Sequence, residues 1–236
     1  MKKIIQRDDD RGVAEHGWLH SRFSFSFAEY YNPRKMGFGL LRVLNDDIIE
    51  AGEGFGTHPH NNMEIITIML QGELEHKDSS GSGSVIRPGE IQVMSAGTGI
   101  LHSEFNHSKS DLVNLLQLWI IPKERNIKPR YDQKVFPLSE CKNKLIKIVS
   151  GKLSEETLYI HQDAAISYGK LDDGNTHKYE FTYKGNGAYL FVINGHIAID
   201  GDIINRRDAV GISEADDFQI TAESDSEFVI IEVPLK

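Results

Sequence analysis

The sequence predicts an all-β protein made of two tandem β-barrels or sandwiches. Three observations carry this. Runs of β-branched and apolar residues of strand length recur from end to end, turn residues interrupt them at short intervals, and a faint repeat relates the two halves. With 236 residues, the chain has room for two domains of the usual roughly 100–150 residues.

The strand signals come in order. Ile65-Ile66-Thr67-Ile68-Met69-Leu70 is a β-branched apolar run closed by the turn signal Gln71-Gly72, and polar/apolar alternation resumes over Glu73-Leu74-Glu75-His76. Ser79-Ser80-Gly81-Ser82-Gly83-Ser84 reads as a flexible hairpin tip. Further strands are expected at Ile91–Met94, Val113–Ile121, Leu145–Val149, Thr157–His161, Tyr189–Ile193, Ile197–Ile199 and Phe228–Val233. Helices are scarce. The serine-led SEETL at Ser154 has a capping look but is too short to matter.

The repeat sets Ile68-Met69-Leu70-Gln71-Gly72 beside Val192-Ile193-Asn194-Gly195, and Arg87-Pro88-Gly89-Glu90 beside Arg206-Arg207-Asp208-Ala209. Two similar β-units joined by the polar segment Pro122–Lys134 follow, divided as residues 1–130 and 131–236.

Composition narrows the function. Hydrophobic residues make up 39% and charged residues 26%, ordinary for a soluble globular chain. A net charge of −9, with no basic run to reverse it locally, argues against direct nucleic-acid binding. A single cysteine, Cys141, excludes an intramolecular disulfide and reads as an incidental thiol. Asp8, Asp9 and Asp10 interrupt the N-terminus before any apolar signal region, and nothing approaches the ~18 apolar residues of a membrane span, so a cytoplasmic protein is expected.

The chemistry concentrates in Gly52–Glu104. His58-Pro59-His60 puts two imidazoles at i and i+2, on one side of an extended segment, and His102-Ser103-Glu104 repeats the spacing with an imidazole and a carboxylate. Glycines lead into each pair: Gly52, Gly54 and Gly56 into the first, Gly97 and Gly99 into the second. If the two segments pair across a barrel, three imidazoles and one carboxylate converge on one point. That donor set suits Fe, Ni, Cu, Mn, Co or Zn and suits Ca or Mg poorly. The competing reading, exposed loop histidines, leaves the two spaced pairs unexplained. His76 is read as a satisfied interior histidine or a pocket residue and His107 as a solvated one. His16, His20, His161, His177 and His196 lack partner spacing.

The motifs resemble a known family. Gly52, His58-Pro59-His60, Glu64 and Gly72 look like the first cupin motif, and Pro88-Gly89-Glu90 with Gly97–His102 like the second. The wording HPHNNMEIITIMLQGELEHKDS from His58, MSAGTGILHSEFN from Met94, LLQLWIIP from Leu115 and SFAEYYNPRKMGFGLLRVLNDD from Ser26 resembles the pirin family. The resemblance covers nearly all of the first half; the second half carries a generic cupin look.

It implies two tandem cupin (double-stranded β-helix, jelly-roll) barrels, one metal per chain, usually Fe(II), and oxygenase activity with O2 on flavonols such as quercetin. It also implies the ligand set His58, His60, His102 and Glu104. Counting Glu64 as a fifth ligand would close a site that needs open positions, so Glu64 is read as orienting a histidine or lining the pocket. Glu104, or Glu64 if it faces the substrate, is the expected general base.

In the second half the repeat sets Phe181-Thr182-Tyr183 opposite His58-Pro59-His60, and no histidine follows His196. A metal-free second barrel is therefore expected, either stabilising the first or closing one side of its pocket. The rival functions are an iron-dependent redox-sensing module of the pirin type that binds partner proteins, and a sugar-phosphate isomerase, for which only Arg42 and Arg87 lie near the motifs. Two barrels in one chain mimic the dimer of a single-barrel cupin and so favour a monomer.

Overall fold

The computed structural model describes Met1–Lys236, and the chain folds almost wholly into antiparallel strands. Short 3-10 turns at Asp8–Asp10 and Leu138–Glu140 are the helical segments. No helix is long and apolar enough to cross a membrane.

Each unit pairs a seven-stranded sheet with a four-stranded one. In the first unit the larger sheet runs, from edge to edge, Arg130–Val135, Glu90–Ser95, Glu64–Gln71, Val113–Ile120, Leu41–Ile49, Leu19–Phe23 and Gly12–Glu15. Its smaller sheet runs Gly54–His60, Ile100–Asn106, Leu74–Asp78 and Gly83–Ile86. The second unit repeats the plan. Asn186–Asn194 stands where Glu64–Gln71 stands, and Ser226–Pro234 where Val113–Ile120 stands. The shared turn is literal: Gly72 and Gly195 follow equivalent strands with φ of 80° and 78°, a region that costs glycine little.

The Glu64–Gln71 and Val113–Ile120 strands are buried on both faces, which explains their near-continuous apolar sequences. Along Glu64–Gln71, Ile66 and Ile68 point toward the second unit. They join a core of 26 buried residues that also contains Ile166, Phe191, Val229 and Ile231, so the units share one continuous interior. The opposite face of the strand, Ile65, Thr67 and Met69, looks into the first barrel. The interior of the second barrel is filled by Tyr179, Leu190, Val192, Phe218, Ile220 and their neighbours.

Two features depart from the sequence reading. Arg130–Lys134, expected within the connecting segment, belongs to an edge strand on the first unit's sheet, paired with Glu90–Ser95. Its charged residues concealed it, as edge strands carry charge to deter further pairing. The strand standing where Gly54–His60 stands is Thr176–Glu180 rather than Phe181-Thr182-Tyr183. The connection into the next strand is longer in the second unit, which shifts the alignment. Lys2–Gln6 crosses the other way, pairing with Ala209–Ser213 on the second unit's sheet, while Gln6 Nε2 donates to the Ser24 carbonyl of the first.

The approach to the second ligand pair is tightly constrained. Gly97 has φ of 48°, and a Cβ there would sit 2.1 Å from the Ile127 carbonyl oxygen. Gly97→Ala is therefore expected to cost about 1–3 kcal/mol of unfolding free energy, read as a lowered denaturant midpoint. An unchanged midpoint would mean that this close approach is not maintained.

Candidate metal centre

Gly54–His60 and Ile100–Asn106 pair antiparallel, with His58 directly opposite His102. Between that pair and Glu104, which faces Phe55, the register slips by one residue. Gly56 and Thr57 thus stand against Ser103 alone, a bulge that re-aims the neighbouring side chains. The His58 ring nitrogen Nδ1 lies 2.8 Å from the Gly56 carbonyl; as a donor there, it leaves the Nε2 lone pair free. His58 Nε2 then lies 2.9 Å from His102 Nε2. His60 completes a group whose donor atoms all lie within 4.8 Å of one another.

Electrostatics suit these imidazoles to be ligands. Burial, then the neighbouring His58, lowers His60 to about 4. Burial, followed by the surrounding imidazoles, lowers His102 to about 2. Both rings are neutral at physiological pH and can offer a lone pair. His60 Nε2 is buried without a hydrogen-bond partner, and such an orphan beside two converging nitrogens fits a shared cation.

Glu104 lies outside the tight imidazole group, on the same barrel-facing side of its strand as His102. Its Oε2 accepts from Gln117 Nε2 at 2.8 Å, and Gln117 Oε1 in turn accepts from Trp119 Nε1 at 3.2 Å. Oε1 is buried without a partner; the Thr67 hydroxyl approaches the carboxyl without closing a hydrogen bond. Burial raises the carboxyl's pKa, against the Gln117 hydrogen bond. The chemistry of this donor set, three nitrogens and a carboxylate with a free oxygen, fits a divalent transition metal.

A cavity of about 450 Å³ opens onto His58, His60 and Glu104. Its walls are aromatic, with Trp18, Phe27, Phe55 and Trp119 among them, and Trp119 stands edge-on to both His60 (4.8 Å) and Phe27 (5.3 Å). Every lining residue falls between Ala14 and Trp119, so the second unit does not close this pocket. A larger cavity of about 860 Å³ lies between the units, near the Arg207–Asp46 ion pair, and contains none of the three histidines.

Glu64 is not brought to this cluster. It lies on the face of its strand shared with Ile66 and Ile68, turned toward the second unit, and it does not line the pocket. Its Oε2 accepts from Ser95 Oγ at 2.7 Å, and Oε1 lies 3.5 Å from His161 Nδ1. The expected pocket or general-base role for Glu64 is corrected accordingly.

Burial pushes Glu64 up to about 7, against the Ser95 hydrogen bond. Below about 4.5, its ordinary value, the carboxyl is protonated in folded and unfolded chains alike. As pH rises toward 7, the unfolded chain ionises first and folding stability falls, by on the order of 3 kcal/mol once the folded group has also ionised. Glu64→Gln should therefore melt several degrees above the parent at pH 8, converge with it near pH 4.5, and keep its activity. A large loss of turnover would return Glu64 to the active site.

Of the other histidines, His76 is fully buried, stacked on Tyr131 (ring centroids 4.8 Å apart) and 5.3 Å from the His102 ring, with both its nitrogens unpartnered. His107 is exposed near Glu75, and His16 lies at the pocket rim. Cys141 is fully buried with Sγ donating to the Lys144 carbonyl at 2.9 Å, and burial pushes its thiol up, as an inert cysteine requires. The sequence reading missed Gln117, Trp119, Asn45 and Asp47. Gln117 and Trp119 sit at i and i+2 in an otherwise apolar run, a signal that would have marked them as facing a polar interior.

The family model described as Pirin matches residues 6–120, and that described as the quercetinase C-terminal cupin domain matches 147–233. A protein of Escherichia coli (strain K12) named quercetin 2,3-dioxygenase is 41% identical over 98% of each chain. A pirin-like protein of Caulobacter vibrioides is 38% identical over 95% of this chain and 96% of its own. The crystal structure of the bacterial pirin YhhW from Escherichia coli in complex with nickel(II) superposes with a TM-score of 0.93, at 39% identity over 99% of both chains.

Proposed function

The chain belongs to the pirin family, as a two-barrel cupin enzyme of the quercetin 2,3-dioxygenase type, and from that premise we propose that it opens the heterocycle of a flavonol. One flavonol and one O2 are consumed; both oxygen atoms enter the ring-opened ester, and carbon monoxide leaves. The first unit, which takes in the edge strand to Val135, is the working unit, and the second a metal-free support whose apolar face completes the shared core.

The ligands are His58, His60, His102 and Glu104. The convergence of three neutral imidazoles at the mouth of an aromatic pocket carries this reading. Fe(II) is the first candidate ion, and the nickel(II) complex of YhhW supports Ni(II) as a second. A divalent ion held by these residues would supply the acidity that lets a bound hydroxyl ionise near neutral pH.

The protein does the rest. The His58 ring is fixed by Gly56, so its Nε2 faces the cluster. Trp119 and Phe27, packed edge-to-face on each other, give a flat ring system an aromatic wall that excludes water. Glu104, whose Oε1 has no internal partner, is the carboxylate that receives the proton of the substrate's 3-hydroxyl as it enters.

The test is quercetin consumption under oxygen by protein loaded with Fe(II), Ni(II) or another divalent ion, with carbon monoxide measured in the headspace. Consumption that stops on chelation is the expected result. Silence with every ion overturns the proposal.

A further inference from the structure

Asn45 and Asp47 occupy the Leu41–Ile49 strand at i and i+2, facing the barrel interior, while Leu44 and Asp46 between and beside them turn toward the second unit. Both line the cavity that holds His58, His60 and Glu104. They are 2% and 3% exposed. The Asn45 carboxamide oxygen has no hydrogen-bond partner, and the Asp47 carboxylate receives a single side-chain donor, the Ser21 hydroxyl, on Oδ1.

Protein interiors rarely leave such acceptors unpaired unless a ligand or ordered water answers them. The wall also stands at a set distance from the metal end. Asn45 is opposite Gln117 in register, and Gln117 donates to Glu104, so the acceptors begin one strand spacing (about 4.8 Å) beyond the Glu104 hydrogen bond. Between the two ends the pocket offers aromatic faces.

We propose that Asn45 and Asp47 form a hydroxyl-binding subsite, which accepts hydrogen bonds from phenolic hydroxyls of the substrate other than the 3-hydroxyl. The enzyme then selects polyhydroxylated flat aromatics over the same skeleton without those hydroxyls. This deepens the flavonol reading and rests on it for the choice of skeleton.

Binding tests it without turnover. The chain's two tryptophans, Trp18 and Trp119, both line the cavity, so quenching of their fluorescence reports occupancy. The nickel(II)-loaded protein is titrated under nitrogen with quercetin and with 3-hydroxyflavone, which lacks the other hydroxyls. Quercetin should bind about tenfold or more tightly. Asn45→Leu and Asp47→Asn, each close to the original shape, should bring that ratio to within about threefold while leaving 3-hydroxyflavone binding within about twofold.

Equal binding of both probes by the parent overturns the subsite. So does discrimination that survives in either folded variant. Failure of both probes to bind removes the subsite and the flavonol reading together. Discrimination without oxygen-dependent consumption in the iron-loaded protein removes only the reaction and leaves the subsite standing.

Discussion

His102→Ala is expected to abolish metal retention, with at least an estimated 100-fold loss of affinity and a matching loss of activity, since loss of an outer partner alone costs about 10–100-fold. His102 is the most buried of the three imidazoles, at 2% exposed, and its Nε2 stands 2.9 Å from that of His58. Removing it leaves two half-buried imidazoles on a single strand and one carboxylate, a weaker set that has lost its most buried nitrogen donor. The fold should survive, because the strand keeps its pairing on both sides and the apolar cores are elsewhere.

Thermal unfolding with and without added ion separates the two effects. The parent should gain about 2.7 kcal/mol when the free ion is at 100 times its dissociation constant, and the variant at the same ion concentration no more than about 0.4 kcal/mol. Metal analysis of the purified proteins gives the stoichiometry directly. A variant that still carries one ion per chain would mean that the imidazoles are not the site.

The sequence made the grouping of His58, His60 and His102 legible because each spaced pair lies within one strand, where side chains alternate and i, i+2 residues share a face. Glu64 was misread for a related reason. It follows His60 by a corner, with Asn62 at φ of 47°, that carries the chain from the four-stranded sheet into the seven-stranded one. Parity does not pass through such a corner. Nor does the strand itself restore it, because both its faces are buried and Ile65, Ile66, Ile68 and Met69 show no contrast between inside and outside.

The same absence of contrast hid Asn45 and Asp47 within Asn45-Asp46-Asp47, three consecutive polar residues with no alternation to show which face each takes. The flanking strand pairs them with Gln117 and Leu115, and only that register reveals which face they take. The edge strand at Arg130 was obscured because its Arg130 and Lys134 reach the second unit, where they donate to the Tyr159 and Glu155 carbonyls. Its alternate residue Tyr131 packs on His76 inside the barrel. A charged segment bridging two units looks, in one dimension, like a solvated linker.

Glu104→Gln should lower kcat by about 10²–10⁴-fold while the fold remains intact, the range a positioned proton acceptor contributes. The substitution keeps shape and volume, and Gln117 can still hydrogen-bond the new amide by turning its own. Because burial raises the Glu104 carboxyl, the neutral amide removes a charge the interior resists, and the metal-free variant should melt no lower than the parent. Ion affinity will also fall, since a negative donor is replaced by a neutral one, so turnover must be compared with the ion at saturation. Under those conditions quercetin should still quench Trp18 and Trp119, and the bound flavonol should persist under oxygen. A variant that turns over within about tenfold of the parent would remove Glu104 as proton acceptor. Because Glu64→Gln is expected to keep full activity, the pair of substitutions assigns the chemistry to one of two acids that a linear motif cannot tell apart. What distinguishes them is the face of the sheet on which each lies: Glu104 opens to the pocket with a free oxygen, and Glu64 is closed against Ser95 and His161.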